Sequence, residues 1–537
     1  MNCKLRKIRA KVVFFRELRG ICVKKSGDFW TNEAGQRAKR GKHFAILAVL
    51  DEKHFAIVAV FARKNFAILA VLGEKHFAII EKVVFLHGFS KDYKNMIFKR
   101  KLYEKMLQWK DSRKGSSALL LKGARRVGKS TLVEEFAKNE YESYILIDFS
   151  ETSKEVEELF ENMMDLNYCF FRRQNIFHVT LIERKSVIIF DEVQLQPLAR
   201  QAIKHLVKDG RYDYIETGSL LSIKKNVQNI LIPSEETRMT LYPLDFDEFR
   251  WATGDNVSPD FMRQAFDMKR PMGQAVHQKW MRDLRLYMLI GGMPQAVDTY
   301  NKTNNLQQVD DKKREIIMLY DDDFRKIDST GTASRLFMDI PAQLSSNANR
   351  YMVSSATESR ATDTTVVVIK DMTDSMVVTL AYHANDPNVG FGLTKDYSRY
   401  KMFMSDTGLF ITLAFWDKDY TENTVYSKLL SDKLSANLGY VYENLVAQML
   451  TAAGNSLYYY TFPDGNNHNY EVDFLLSRGN KIVPIEVKSS GYKTHKSMDE
   501  FCKKYPSRIG ERILLYTKDY QKDGVVTCLP VYYAGLM

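Results

Sequence analysis

One segment limits the fold more than any other: ALLLKGARRVGKSTLVEEFAK, residues 118–138. An apolar strand, Ala118–Leu121, runs into Gly123-x4-Gly128-Lys129-Ser130 and then into an amphipathic helix. The glycines let backbone N–H groups along Gly123, Ala124, Arg125, Arg126, Val127 and Gly128 wrap phosphate oxygens, at a helix N-terminus that already favours anions. Lys129 is set to reach the terminal phosphates, and the Ser130 hydroxyl, beside Thr131, to hold Mg2+. Loops of this spacing arise by chance, but seldom between a strand and a helix.

A second apolar run, SVIIFDEVQ (186–194), ends in an acidic pair. At the C-terminal end of a strand, Asp191 can hold Mg2+ through water, and Glu192 is placed to polarise an attacking water as general base. Two further strands are expected: YILIDFS (144–150), between these motifs, and YDYIETGS (212–219), which presents Thr217 and Ser219 at its end. The cofactors this implies are ATP and Mg2+.

The added strand and the glutamate after the aspartate resemble the additional-strand, catalytic-glutamate branch of P-loop ATPases. In that likeness Thr217 takes the sensor-1 position, where a polar side chain feels the γ-phosphate. Gly292-Met293-Pro294 resembles the GxP motif in the helical lid of archaeal-type and STAND-related AAA-like ATPases, which puts Pro294 beside the nucleotide. Arg238 is a candidate phosphate-sensing or finger arginine, although a lone arginine on a strand more often faces solvent. The series GARRVGKST, DEVQ, ETGS, PLDFDEF and GGMPQAV is similar to one large prokaryotic family of AAA-like ATPases with a C-terminal PD-(D/E)XK-like domain, over residues 96–537.

The C-terminal part carries a second constellation, NYEVDFLLSRGNKIVPIEVKSS (469–490). Taking Gly479-Asn480 as a type II′ turn sets Phe474 opposite Ile485 and Leu476 opposite Val483, so one face is apolar. On the other face Asp473 is expected opposite Glu486, Glu471 opposite Lys488, and Lys488 beside Glu486. Opposed carboxylates repel by up to about 1 kcal/mol, and a divalent cation would offset that. The Asp-x12-Glu-x-Lys spacing matches the PD-(D/E)XK nuclease core, with Asp473 and Glu486 as Mg2+ ligands and Lys488 assisting a hydrolytic water. In that class a helix glutamate adds a metal ligand, a role the resemblance transfers to Glu443 in GYVYENLVAQML (439–450). The bland alternative is a hairpin neutralised by its own lysine, without metal.

Charge divides the chain. Of 78 Lys and Arg and 66 Asp and Glu, residues 1–95 hold 20 and 8, so the whole excess of +12 lies there and residues 96–537 balance at 58 of each sign. The basic composition is therefore no argument that the rest binds nucleic acid. Residues 42–80 repeat with a period of 11 (KHFAILAVLDE, KHFAIVAVFAR, KNFAILAVLGE, KHFAII), each apolar run too short for a membrane span. We read 1–95 as a translated DNA repeat upstream of a start at Met96, with a membrane-surface or self-association segment as the alternative. Five dispersed cysteines without a CxxC pair argue against a zinc site and for a reducing compartment.

The expected architecture is α/β. It comprises a repetitive basic tract (1–95), a P-loop ATPase core on a parallel sheet (96–255) and a helical lid (256–330). A small winged-helix-like linker (331–400) and a C-terminal restriction-endonuclease-like domain (401–537) follow. The wing is expected in VVTLAYHANDPNVGFGLT (377–394) and a DNA-reading helix near 359–371. Three aspartates in LYDDDFRKID (319–328) point in different directions on a helix and read as a solvated face or cap. The expected protein is a cytoplasmic, membrane-free ATPase coupled to a nuclease-like domain, with ATP and DNA as partners. A homo-oligomer is left open for the finger arginine. The alternative is a nucleotide-dependent switch whose C-terminal domain is inactive and binds a partner.

Overall fold

The computed structural model divides into two compact units, residues 1–95 and 96–537. It describes the strand backbones 21–25, 45–50, 54–61 and 66–73, and residues 98–537 apart from 161–164, 219–233, 347, 358–360, 389, 419–425, 428, 430–437, 466–467 and 491–493. In the first unit β1 (Ile21–Lys25), β2 (Ala45–Leu50), β3 (His54–Phe61) and β4 (Phe66–Gly73) form a sheet in that order, β1 parallel to β2 and the others antiparallel. The apolar runs of the repeat thus serve as strands, for which their length is typical. Met96, the expected start, lies outside the described residues.

The second unit opens on a five-stranded parallel sheet: β5 (Ala118–Lys122), β6 (Ser143–Asp148), β7 (Ser186–Asp191), β8 (Asp213–Gly218) and β9 (Glu236–Thr240), in the order β6-β7-β8-β5-β9. Continuous apolar runs suit strands covered on both faces. Leu119 and Leu121 pack in one core with Leu132 and Phe136 of helix Lys129–Glu140. Leu120 turns the other way, into a core with Ile203 and Leu206 of helix Pro197–Asp209. The strand that separates β5 from β7 in space is β8, not the YILIDFS strand that separates them in sequence. That order sets Thr217 between the phosphate loop and the acidic pair.

Helices Gln274–Ile290, Pro294–Thr303 and Leu306–Ile327 follow. The remaining strands are β10 (Val378–Ala384), β11 (Lys395–Met404), β12 (Tyr458–Pro463), β13 (Asn469–Arg478), β14 (Lys481–Val487), β15 (Arg512–Tyr516), β16 (Gln521–Asp523) and β17 (Val526–Pro530). They form one eight-stranded sheet, ordered β11-β10-β12-β13-β14-β15-β17-β16. The expected wing segment, 377–394, therefore supplies one strand, β10, which lies next to the edge strand β11 in the C-terminal sheet. β10 pairs in parallel with β12 through Tyr382 and Tyr458, and Phe391 stacks on Tyr458 at 4.9 Å. A division at 400/401 would cut through β11. The segment near 359–371 does hold a helix, Asp363–Asp374, started by a capping box between Thr362 and Thr365.

Candidate functional site

The phosphate loop is set by two glycines with different duties. A Cβ on Gly123 would lie 2.4 Å from the Leu241 carbonyl oxygen, so only glycine lets the chain leave β5 there. Gly128 takes φ +92° and starts helix Lys129–Glu140. Lys129, only 5% exposed, folds back on the loop, donating to the carbonyls of Gly123 (3.2 Å) and Ala124 (3.1 Å). Burial pulls its ammonium below the usual lysine range, with Glu192 and Asp191 opposing that. Val127 is buried, Ser130 half-buried, and Arg126 and Thr131 exposed.

The acidic pair meets the loop through β8. The Thr217 hydroxyl donates to Asp191 Oδ1 and accepts from the Glu192 backbone N–H at 3.3 Å. Glu192 sits at φ +52°, a left-handed conformation that costs a non-glycine residue of order 1 kcal/mol. The Gln194 amide donates to its carboxylate. Arg125, Lys129, Glu192, Gln194, Tyr320 and Asp323 share a cavity of about 400 Å³. Asp191 and the Ser130 hydroxyl offer the hard oxygen donors that Mg2+ prefers, so the residues fit that ion.

Helix Leu306–Ile327 lies over the loop. Tyr320 donates to the Arg125 carbonyl at 2.9 Å, and Asp323 binds the Arg125 guanidinium through both oxygens, at 2.9 and 3.1 Å. The aspartate run is thus not wholly a solvated face: Asp323 reaches the phosphate loop, while Asp321 pairs with Arg325 one turn on. Pro294 lies against the loop, its Cγ 3.6 Å from where a Cβ on Gly128 would be. Arg238 is not brought to this cavity. It stands half-exposed in the edge strand β9, pairs with Glu236, and lines a separate cavity with Arg100 and Lys101. Ser219 lies outside the described residues.

The GGMP loop is tied to the next part of the chain. Asp406 accepts from the Gly292 N–H (2.6 Å) and from the Leu409 N–H (2.9 Å), capping helix Thr407–Ala414. Thr407 donates to Gln448, and Asn444 bonds both backbone groups of Met404. Gln448 and Asn444 belong to helix Gly439–Ala452, which these bonds hold across β11.

That placement creates the second cluster. The register of β13 and β14 pairs Phe474 with Ile485, Leu476 with Val483 and Arg478 with Lys481, around Gly479 at φ +58°. The ladder begins at Phe474. Asp473 is not a ladder partner of Glu486, because its Oδ2 accepts from the Val487 N–H at 2.7 Å. Lys488 pairs with Glu486 at 2.6 Å. Glu471 does not face Lys488. It binds Lys401 of β11 at 2.5 Å, and Lys401 also reaches Glu443 at 2.7 Å. One oxygen from each of Glu443, Glu471 and Asp473 lies within 4.8 Å of the others.

Burial raises the carboxyls of Glu443 and Glu486, and pushes Glu471 up to about 7. Burial would lower Lys401, but Glu443, Glu471 and Asp473 outweigh it and hold the ammonium well above its ordinary range. Lys488 moves upward for the same reason, through Glu486 and Asp473. Among the described residues, Glu486 Oε2 is buried without a hydrogen-bond partner. An orphaned carboxylate oxygen next to a second acid fits a divalent cation, which takes oxygen ligands without asking for a donor.

Comparison with known proteins assigns the regions separately. Residues 115–250 match the family model described as AAA domain, and residues 281–420 and 438–533 match two domains of unknown function, DUF8612 and DUF4143. The uncharacterized protein MJ1637 of Methanocaldococcus jannaschii is 24% identical over 198 residues, which are 34% of this chain and 40% of that protein. The chain thus spans less than half the length of that relative. Similar solved structures include C. elegans PCH-2 (13% identity, TM-score 0.24, covering 40% of this chain and 66% of that one). Cdc6p of Pyrobaculum aerophilum is another (10% identity, TM-score 0.21, covering 64% and 98%). Among the described residues no helix is long and apolar enough to cross a membrane.

Proposed function

We propose that the chain is an AAA-like ATPase that binds and hydrolyses ATP and couples turnover to a nuclease-like C-terminal domain acting on DNA. The observation that carries the ATPase reading is that Lys129 and Glu192 line one cavity at the phosphate loop, with Asp191, held by the Thr217 hydroxyl, next in sequence to Glu192. Glu192 takes a proton from water as its oxygen attacks the γ-phosphorus in line, while the bond from the γ-phosphorus to the bridging oxygen breaks and ADP leaves with that electron pair. Lys129 leaves its two carbonyls and, with the loop N–H groups, meets the charge that develops on the phosphate oxygens. Ser130 and Asp191 would hold Mg2+, which would supply positive charge beside the phosphate being transferred. Glu192→Gln is expected to slow turnover by about 10²- to 10⁴-fold while ATP affinity, read with a fluorescent analogue, is kept. Loss of affinity in parallel with turnover would mean Glu192 serves the fold instead.

For the C-terminal domain, Asp473 and Glu486 are the proposed Mg2+ ligands and Lys488 the group that assists water. The test is the full chain incubated with plasmid and branched DNA, Mg2+ or Mn2+, with and without ATP. Cleavage that disappears in Asp473→Ala supports a nuclease. A second reading, a nucleotide switch with an inactive partner-binding domain, is favoured by two observations. Lys401 already occupies part of the acidic cluster, and residues 96–537 carry no net charge to draw in a phosphate backbone. Intact ATP turnover, unstimulated by DNA and without cleavage, would make that reading the correct one.

A further inference from the structure

The four acids at β13, β14 and helix Gly439–Ala452 are not one equivalent set. Lys401 spends two of its three N–H donors on Glu443 and Glu471 and is 5% exposed, and Tyr459 faces it with its ring 5.7 Å away. A divalent ion coordinated by those same two oxygens would stand beside an ammonium with no water between to screen it. Lys401 does not leave easily, because its strand is pinned at Met404 by Asn444, the residue next to Glu443. The other half differs. Asp473 holds its position through the Val487 N–H, and Glu486 keeps one buried oxygen without a partner among the described residues. Lys488, the cation of that half, is over a third exposed and sits on the other oxygen of Glu486, so it can swing away.

We propose that Lys401 is the resident cation of this cluster, filling the Glu443–Glu471 half so that a single divalent ion binds, on Asp473 and Glu486 alone. This rests on the metal-competent reading of the hairpin given above. It removes Glu443 from the ligand set that the family resemblance suggests, and it turns a strand lysine into the device that sets metal stoichiometry.

The test is a Mn2+ titration of the full chain without nucleotide, with free Mn2+ read by electron paramagnetic resonance. The expected result is one site that Asp473→Asn and Glu486→Gln each remove and that Glu443→Gln leaves within about twofold in affinity. Lys401→Met is expected to add a second site of Mn2+ per chain. Loss of the site in Glu443→Gln to the extent seen in Asp473→Asn, or a second site in the unmutated chain that Glu443→Gln removes, would overturn the role of Lys401. No site sensitive to Asp473→Asn would instead overturn the metal-competent reading beneath it. The Glu443→Gln arm decides the matter even where Lys401→Met does not fold, since the amide keeps the shape of the side chain and a hydrogen-bond acceptor for Lys401.

Discussion

Two of the buried lysines, each with acids nearby, are held in opposite ways. Lys129 has aspartate and glutamate nearby but makes its hydrogen bonds to two backbone carbonyls. Lys401 is clamped directly by two carboxylates. Neutral partners can be given up for a phosphate at small cost, because the carbonyls keep one lone pair in use or return to solvent. Charged partners cannot, since separating a buried ion pair leaves both charges uncompensated. The first arrangement keeps a cation on call for an incoming anion; the second makes it part of the fold.

The contrast is sharpest in what truncation does to each lysine. Lys401→Ala should cost about 3–5 kcal/mol of stability, by chemical denaturation, because Glu443 and Glu471 are left buried together. ATP affinity in the surviving folded fraction should not change. Lys129→Ala should do the reverse, weakening ATP binding by about 100-fold or more, some 2.7 kcal/mol, with an unchanged melting midpoint. Equal loss of stability in the two variants would break the comparison.

A third buried cluster supplies a pH reading. Glu216 of β8 is fully buried and raised to about 7, by burial first, with Arg200 opposing and Glu236 adding to it. Arg200 binds both acids, while the second cation, Arg238, pairs with Glu236 from a half-exposed position and offsets little of the burial at Glu216. A carboxyl raised in the fold contributes stability below its unfolded pKa and loses it as pH climbs through the folded value. Glu216 should therefore contribute a fall of about 2 kcal/mol between pH 5 and 8, and Glu216→Gln should remove that share, since Glu236 still pairs with Arg200, while the share of Glu471, raised likewise, stays. The smallest effect is expected at Asp323. Its pair with Arg125 is partly exposed, so Asp323→Asn should change stability by under about 1 kcal/mol. It should tighten ATP binding slightly by freeing the loop arginine.

How much of this could be read beforehand depends on distance along the chain. The phosphate loop and the β13–β14 register from Phe474 to Arg478 follow from contiguous residues, since glycine at 479 fixes the turn and the alternation of apolar residues fixes the faces, whereas the expected pairings of Asp473 and Glu471 beyond it do not form. The parallel sheet was equally legible from its apolar runs. Lys401 was not, because its partners stand 42 and 70 residues further on and nothing in SRYKMFM marks that lysine from any other. Asp323 was misread for the same reason: helical spacing tells which residues share a face but not what the face meets. The edge position of β10 and β11 depends on a parallel pairing with β12, to which periodicity is blind.

The eight-stranded sheet has one consequence for anyone dissecting the chain. The region matched by the C-terminal family begins at residue 438 and omits β10 and β11. A fragment cut there would carry the acidic hairpin and Glu443 but not Lys401, Asp406 or the Met404 backbone that Asn444 reads. Its chemistry would then belong to the scissors: extra metal, altered acidity and a raw sheet edge, all acquired by excision and foreign to the intact chain.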